Sequence, residues 1–288
     1  MRDNGCFDRL GSGSTVSISQ RHNIRITGNG DKTILFAHGF GCDQIMWRYV
    51  VPAFQDDYRV VLFDYVGAGK SDLSYYNRDK YGTLDGYAED VLDIIDSIGG
   101  SPVIFVGHSV SAMIGVLAAI KRPQVFDRMV LIGPSPCYIN HDGYAGGFSQ
   151  TDIEGLLRTL DENHLGWSNT MAPVIMKNAE RPELAAELAE SFCRTDPEIA
   201  KQFARVTFLS DNRSDLRRVS VPALVLQCSA DSIAPDEVGL FVHRNLANST
   251  FIKLRATGHC PHLSSPTETI QTIKSYLEPD RDPRALEV

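Results

Sequence analysis

The stretch VIFVGHSVSAMIGVLAAI, from Val103 to Ile120, constrains the fold more than any other part of the chain. Its first residues are β-formers without polar alternation, which suits a strand covered on both faces. From Ser109 onward the residues are small and apolar, in a run compatible with a buried helix. Strand gives way to helix at a single serine, with Gly107 two positions before it and Ser111 two positions after. So tight a turn lifts the serine hydroxyl above the sheet edge, at the positive end of a helix, and tolerates little bulk beside it. A serine that merely caps a helix is the plainer alternative.

The same alternation recurs along the chain. KTILFAHG, YRVVLFDY, PVIFVGHS, RMVLIGPS, PALVLQCS and STFIKLRA read as strands buried on both faces. LDGYAEDVLDIIDSIGG sets Leu84, Tyr87, Ala88, Val91, Ile94 and Ile95 on one helical face and stops at Gly99-Gly100. SPTETIQTIKSYLE forms a similar helix near the C-terminus, with a serine cap ahead of a proline. This pattern predicts an α/β fold, a mostly parallel central sheet with helices on both faces. TVSISQRHNIRIT alternates with period two and predicts a half-exposed antiparallel hairpin.

One stretch breaks the alternation. Between Tyr138 and Arg218 there is no strand pattern, only TDIEGLLRTLDENHLGW, RPELAAELAESF and DPEIAKQFARVTFLS, which read as helices. A helical insertion between two core strands is most economically a cap over the carboxyl ends of the sheet, where open α/β sheets bind ligands. The expected organisation is a core of 1–137 and 219–288 with a cap of 138–218. Met1 to Gly13 and Pro279 to Val288 read as loosely held ends.

Composition narrows the chemistry. A formal charge of −8 without any basic cluster argues against nucleic acid as a partner. The N-terminus lacks the apolar core of a signal peptide, and no apolar run is long enough to span a bilayer. The six cysteines, Cys6, Cys42, Cys137, Cys193, Cys228 and Cys260, show neither a CxxC pair nor zinc-like spacing, so reduced thiols in a cytoplasmic protein without metal or cofactor are expected.

Ser109 needs partners if it is a nucleophile. SADSIAP follows a late strand and puts Asp231 in the next loop; TGHCPH follows the last strand and puts His259 in its loop. Both loops overhang the edge where Ser109 sits, in the chain order serine, acid, histidine that accompanies a nucleophile elbow of the α/β-hydrolase type. Ser109 is therefore expected as nucleophile, His259 as base and Asp231 as the acid that orients it. His262 is a rival base, ranked second because His259 directly follows Gly258 at the strand end. Asp64 is a rival acid, but its strand precedes the serine, and fixing the loop YVGAGKSD is its expected role. AHGFGCDQ, ahead of the helix-like DQIMWRYVV, is a glycine-flanked loop, and the backbone amides of Phe40 and Val110 are the natural oxyanion donors.

HGFGCDQIMW, VVLFDYVGAGKSD, LDGYAEDVLDI, FVGHSVSAMIGVLAAIKRP, LIGPSPCYIN, GGF and GHCPHLSSPTETI resemble the RsbQ-like branch of the α/β-hydrolases, which contains the bacterial stress regulator RsbQ and the plant strigolactone and karrikin receptors. The resemblance runs from about Ile18 to Leu277. Ser111 in place of the last elbow glycine matches the plant receptors, whereas FDYVGAGKSD, GPSPCY and GHCPH are closer to the bacterial members. The segment before Val16 has no counterpart. The resemblance implies a V-shaped cap of four helices over an apolar pocket and a small hydrophobic ester or lactone as ligand. His108, Phe40, Tyr138, Phe148, Trp167, Phe208 and Ile233 are its pocket candidates. It leaves two functions open. One is a serine hydrolase acting through an acyl-enzyme. The other is a ligand-sensing regulator that engages a protein such as a PAS-containing serine phosphatase.

Overall fold

The computed structural model describes residues 17–100 and 102–278. The expected loose ends lie outside the described residues, and so does the start of the predicted hairpin.

Seven strands form one sheet: β1 (Arg25–Thr27), β2 (Lys32–Ala37), β3 (Tyr58–Leu62), β4 (Val103–His108), β5 (Phe126–Ile132), β6 (Ala223–Ser229) and β7 (Ser249–Thr257). Their order is β1-β3-β2-β4-β5-β6-β7. Among the described residues, only the β1–β3 strand pair is antiparallel. Every residue of β4 is buried, as its unbroken apolar pattern requires.

The helices are α1 (Ile18–Arg21), α2 (Leu84–Ser97), α3 (Val110–Lys121), α4 (Gln150–Glu162), α5 (His164–Met176), α6 (Pro182–Arg194), α7 (Pro197–Phe208), α8 (Asp236–Asn245), α9 (Pro261–Ser264) and α10 (Pro266–Leu277). One apolar layer joins α2 and α3 to one face of the sheet through Val91, Ile95, Phe105 and Ile114. The other face is covered by Trp47, Phe54, Ile273 and Leu277. Both faces are thereby dry over the central strands, the condition under which parallel sheets are stable. The edge strand β7, read from STFIKLRA as buried on both faces, instead buries only Leu254 and Ala256, because it has a neighbour on one side alone.

Over the described residues 17–27 the predicted hairpin is not formed. Ser17 and Gln20 make a reciprocal capping box that turns residues 18–21 into the short helix α1, and only Arg25–Thr27 joins the sheet. Satisfying two orphan backbone donors at once outweighs the period-two pattern here. DQIMWRYVV likewise folds as two 3₁₀ turns, Gln44–Trp47 and Val51–Phe54, the first capped by Asp43 and the second holding Pro52 in its first turn.

Residues 138–218 hold α4 to α7, and among the described residues only isolated bridges there have strand character. TDIEGLLRTLDENHLGW is not one helix. Asn163 breaks it, because its side chain accepts from the Gly166 amide and starts α5 afresh. Trp167 consequently lies in the first turn of a helix rather than at the end of one. The inner faces of α4 to α7 pack as an apolar cluster that includes Ile153, Trp167, Leu188, Phe192 and Phe208.

Candidate active site

Ser109 joins β4 to α3 with φ 57° and ψ −123°, backbone angles that a side chain rarely adopts and that cost about 1–3 kcal/mol. The surrounding contacts hold it there: its amide donates to the Ile132 carbonyl at 2.8 Å. A Cβ on Gly107 would come within 2.7 Å of the Ser111 carbonyl oxygen, so the tight return of the chain needs glycine at that point.

Three side chains from three loops meet at the carboxyl edge of the sheet. The Ser109 hydroxyl lies 2.7 Å from Nε2 of His259. Nδ1 of His259 lies 2.7 Å from Oδ2 of Asp231. The other carboxylate oxygen of Asp231 accepts from the amides of Ile233 at 2.8 Å and Ala234 at 3.1 Å. The carboxylate is thus fully bonded, with one oxygen left for the imidazole. With Nδ1–H donating to Asp231, Nε2 of His259 is free to accept from the serine hydroxyl. All three residues are more than nine-tenths buried.

His259 is anchored by its backbone as well. Its amide donates to the Ile175 carbonyl at 2.9 Å, so the loop carrying the imidazole is bonded to the last turn of α5. Asn178 donates to the carbonyl of Thr257 at 3.0 Å, and Arg181 to that of Ser264 at 2.8 Å. Gly258 has φ +79°, and a Cβ there would meet the Met176 carbonyl oxygen at 2.2 Å.

The two rivals have other work. His262 is fully buried against Trp47, ring centroids 4.7 Å apart, and its Nδ1 has no hydrogen-bond partner among the described residues. Burial pushes its pKa down to about 3, with His259 and Arg48 adding to the shift. Asp64 accepts from the amides of Gln44 and Lys70, each at 2.9 Å, and from Asn23 at 2.7 Å. It ties the YVGAGKSD loop down.

Among the described residues, neither the Phe40 nor the Val110 amide donates to any loop, cap or side-chain acceptor. The loop of Phe40 is held from below. Ser111, fully buried, donates to the His38 carbonyl and lies 3.0 Å from the Tyr65 phenol.

Above Ser109 lies a narrow, partly open cavity of about 30 Å³, lined mostly by apolar side chains. That volume holds roughly two waters. Phe40, His108, Tyr138, Trp167, Phe208 and Ile233 are in its wall. Phe148 is not among the lining residues. It sits half-buried at the margin of the apolar cluster, where its backbone pairs with Tyr138 and Asn140. His108 also braces the site, its Nε2 2.8 Å from the His259 carbonyl oxygen, and burial pushes its pKa well down. Burial raises the Tyr138 phenol, with a polar interaction with the Ser109 hydroxyl pulling the other way. Cys42, Met171, Ile175, Leu188, Phe192, Thr207 and Cys260 complete the wall and escaped sequence reasoning. Cys260 was signalled by its place beside His259. Leu188 and Phe192 lie with Leu184 on the apolar stripe of α6, so their inward face was legible, whereas Met171 and Ile175 sit on α5, whose apolar residues, Leu165 and Val174 among them, run around the helix.

A family model described as the alpha/beta hydrolase family matches residues 34–272. The chain is 38% identical over 264 residues to the karrikin insensitive 2 receptor CA of Petunia hybrida, covering 91% of this chain and 98% of the relative. It is 37% identical over 265 residues to strigolactone esterase D14 of Arabidopsis thaliana, covering 92% and 99%. Among solved structures, a hydrolase from Oleispira antarctica superposes with a TM-score of 0.89 at 42% identity, over 91% of this chain and 96% of that one. No helix among the described residues is long and apolar enough to cross a membrane. The chain belongs to the α/β-hydrolase family, on the branch that holds the plant strigolactone and karrikin receptors.

Proposed function

We propose that the protein hydrolyses small hydrophobic esters or lactones, with Ser109, His259 and Asp231 as its catalytic triad. The observation that carries this reading is the unbroken line of two 2.7 Å hydrogen bonds from Ser109 through His259 to Asp231 at the foot of an apolar cavity. The Ser109 oxygen attacks the ester carbon while its proton passes to Nε2 of His259. Asp231 holds the Nδ1–H tautomer and stabilises the imidazolium. The Phe40 and Val110 amides, free of other acceptors, receive the negative oxygen. His259 returns the proton to the departing alkoxide, leaving an acyl-serine, and a water activated by the same imidazole releases the acid. In a lactone the freed hydroxyl stays attached to the acyl group.

Residues 138–218 act as a cap over the core of 1–137 and 219–288. A cavity of about 30 Å³ is too small for an ester substrate, so ligand binding widens it, by rotation of lining side chains or movement of the cap helices. The five described cysteines are all unpaired, which supports a reducing, cytoplasmic location. Incubation with a panel of aryl esters and lactones, followed by intact-protein mass spectrometry, tests the mechanism. An adduct of acyl mass that maps to Ser109 is expected, and turnover with no adduct on any trapped ester would overturn the covalent step.

The relatives named as receptors favour a second reading, in which the same site senses a small ligand and the cap then engages a regulatory protein. A PAS-containing serine phosphatase is the partner type to test first. Ligand-dependent binding to such a phosphatase, with turnover slower than binding, separates signalling from metabolism.

A further inference from the structure

Where the helical segment leaves and rejoins the core, Cys137, His141 and Asp211 bring a thiol, an imidazole and a carboxylate together, their ligand atoms all within 4.8 Å of one another. None of the three lines the cavity above Ser109. We propose that this cluster binds a divalent ion of borderline softness, zinc in the first instance, which clips the two ends of the helical segment together.

The distances fit that ion. Zinc bound to sulfur at about 2.3 Å and to imidazole nitrogen at about 2.0 Å in tetrahedral geometry holds the two atoms about 3.5 Å apart. Sγ of Cys137 and Nε2 of His141 are 3.6 Å apart. Asp211 supplies the third vertex by closing about 1 Å, a rotation of one exposed side chain. Exposure of His141 and Asp211 leaves a water to fill the fourth position. Thiolate, imidazole and carboxylate together suit zinc better than the hard ions magnesium and calcium.

The backbone is organised before any ion arrives. Cys137 and Asp211 are partners in an isolated β-bridge, and the Asn212 amide donates to the Pro136 carbonyl at 2.7 Å. His141 exchanges two backbone hydrogen bonds with Tyr144, at 3.0 and 2.9 Å, and the Tyr144 phenol donates to the Cys137 carbonyl at 2.7 Å. The ligands thus sit on a closed loop rather than on free chain, which lowers the entropy cost of coordination. Arg213 bonds both carboxylate oxygens of Asp211, at 2.8 and 2.6 Å, and its guanidinium also lies over the Tyr144 ring, 4.9 Å from its centre. When one oxygen turns to the ion, Arg213 keeps the other and its place on the ring. Binding releases the thiol proton to solvent, so affinity rises with pH.

The test uses the full chain. Titration with Co²⁺ is expected to give one equivalent bound, with thiolate-to-cobalt charge-transfer absorption in the near ultraviolet, and Zn²⁺ is expected to displace it. Cys137→Ser removes the band, His141→Ala weakens zinc at least tenfold, and Cys193→Ser changes nothing. His141 is exposed, so its replacement reports on the ion even if Cys137→Ser folds poorly. Zinc is further expected to raise the Tm of the wild type and not that of His141→Ala. Absence of stoichiometric uptake by the folded wild type, or a band that survives Cys137→Ser, overturns the site.

Discussion

The Ser111 hydroxyl donates to the carbonyl oxygen of His38, and the Tyr65 phenol, 3.0 Å away, donates to Ser111 in turn. This pair joins the first turn of α3, whose N-terminal amide is Val110, to the loop whose amide is Phe40. A glycine at the elbow would leave the His38 carbonyl, in a fully buried setting, without that donor. Ser111→Ala is therefore expected to cost about 1–3 kcal/mol of stability in urea unfolding. It is also expected to lower kcat for an aryl ester more than it raises KM, because the displaced loop serves the transition state. Unchanged stability would show that the network does not hold the loop.

Ser109→Ala should keep the fold and lower ester turnover by about a thousandfold or more. The hydroxyl points at His259 rather than into packing, so its removal leaves little void. Turnover within threefold of the wild type would remove Ser109 from the mechanism.

His259 and His262 share a loop, and their replacement should have opposite signatures. His259→Ala abolishes acyl transfer with a modest change in stability. His262→Ala retains most of the activity and loses about 2 kcal/mol of stability, since its ring is packed against Trp47 and His108. Measuring kcat and urea midpoints on both variants separates the roles, and reversed effects would assign the base to His262.

The same buried histidine makes stability pH-dependent. His262 titrates at about 3 in the folded protein, and near 6.5 once unfolded. Between those values the unfolded chain binds a proton that the folded protein does not, so stability is complete above about pH 6.5 and falls on acidification toward 3. From pH 7 to pH 5 this one group accounts for about 2 kcal/mol. His108 is shifted in the same direction. His262→Phe should flatten the stability profile over that interval by about that amount, and identical slopes for the two proteins would refute the assignment.

Trp167 is buried in the cavity wall, edge-on to Phe40 at 6.0 Å, while Trp47, the only other tryptophan, is packed on one face of the sheet against Phe36. A serine-reactive ester should shift the fluorescence and protect residues 138–218 from proteolysis, and Trp167→Phe should remove most of the shift. If proteolysis of that segment is indifferent to the adduct while hydrolysis is fast, the segment is a rigid wall and the sensing function loses its basis.

Much of this architecture is legible in the residues because the physics involved is local. Strands buried on both faces cannot hide their apolar runs, and once their order along the chain is known, the loops after β6 and β7 must overhang the edge where β4 ends. That ground, with the serine, acid, histidine chain order of a nucleophile elbow, was enough to bring Ser109, Asp231 and His259 together. What stayed illegible depends on choices between locally reasonable alternatives. Ser17 and Gln20 capping each other, and Asn163 restarting a helix, are contests that period counting does not enter. The rotation of α5 is another, since Leu165 and Val174 are as apolar as the buried Ile175 and yet lie exposed. Cys137, His141 and Asp211 fall 4 and 70 residues apart, a spacing that matches no zinc motif until the helical segment returns to its starting point.

The bond from the His259 amide to the Ile175 carbonyl links two events that are usually separable. In the proposed mechanism an outward swing of α5 either breaks this single bond, worth about 1 kcal/mol, or carries the backbone of His259 with it and draws the imidazole away from the Ser109 hydroxyl. By the second route an open mouth on that flank and a primed nucleophile exclude each other: a ligand admitted there meets a silent site, and reactivity returns as the doorway shuts behind it.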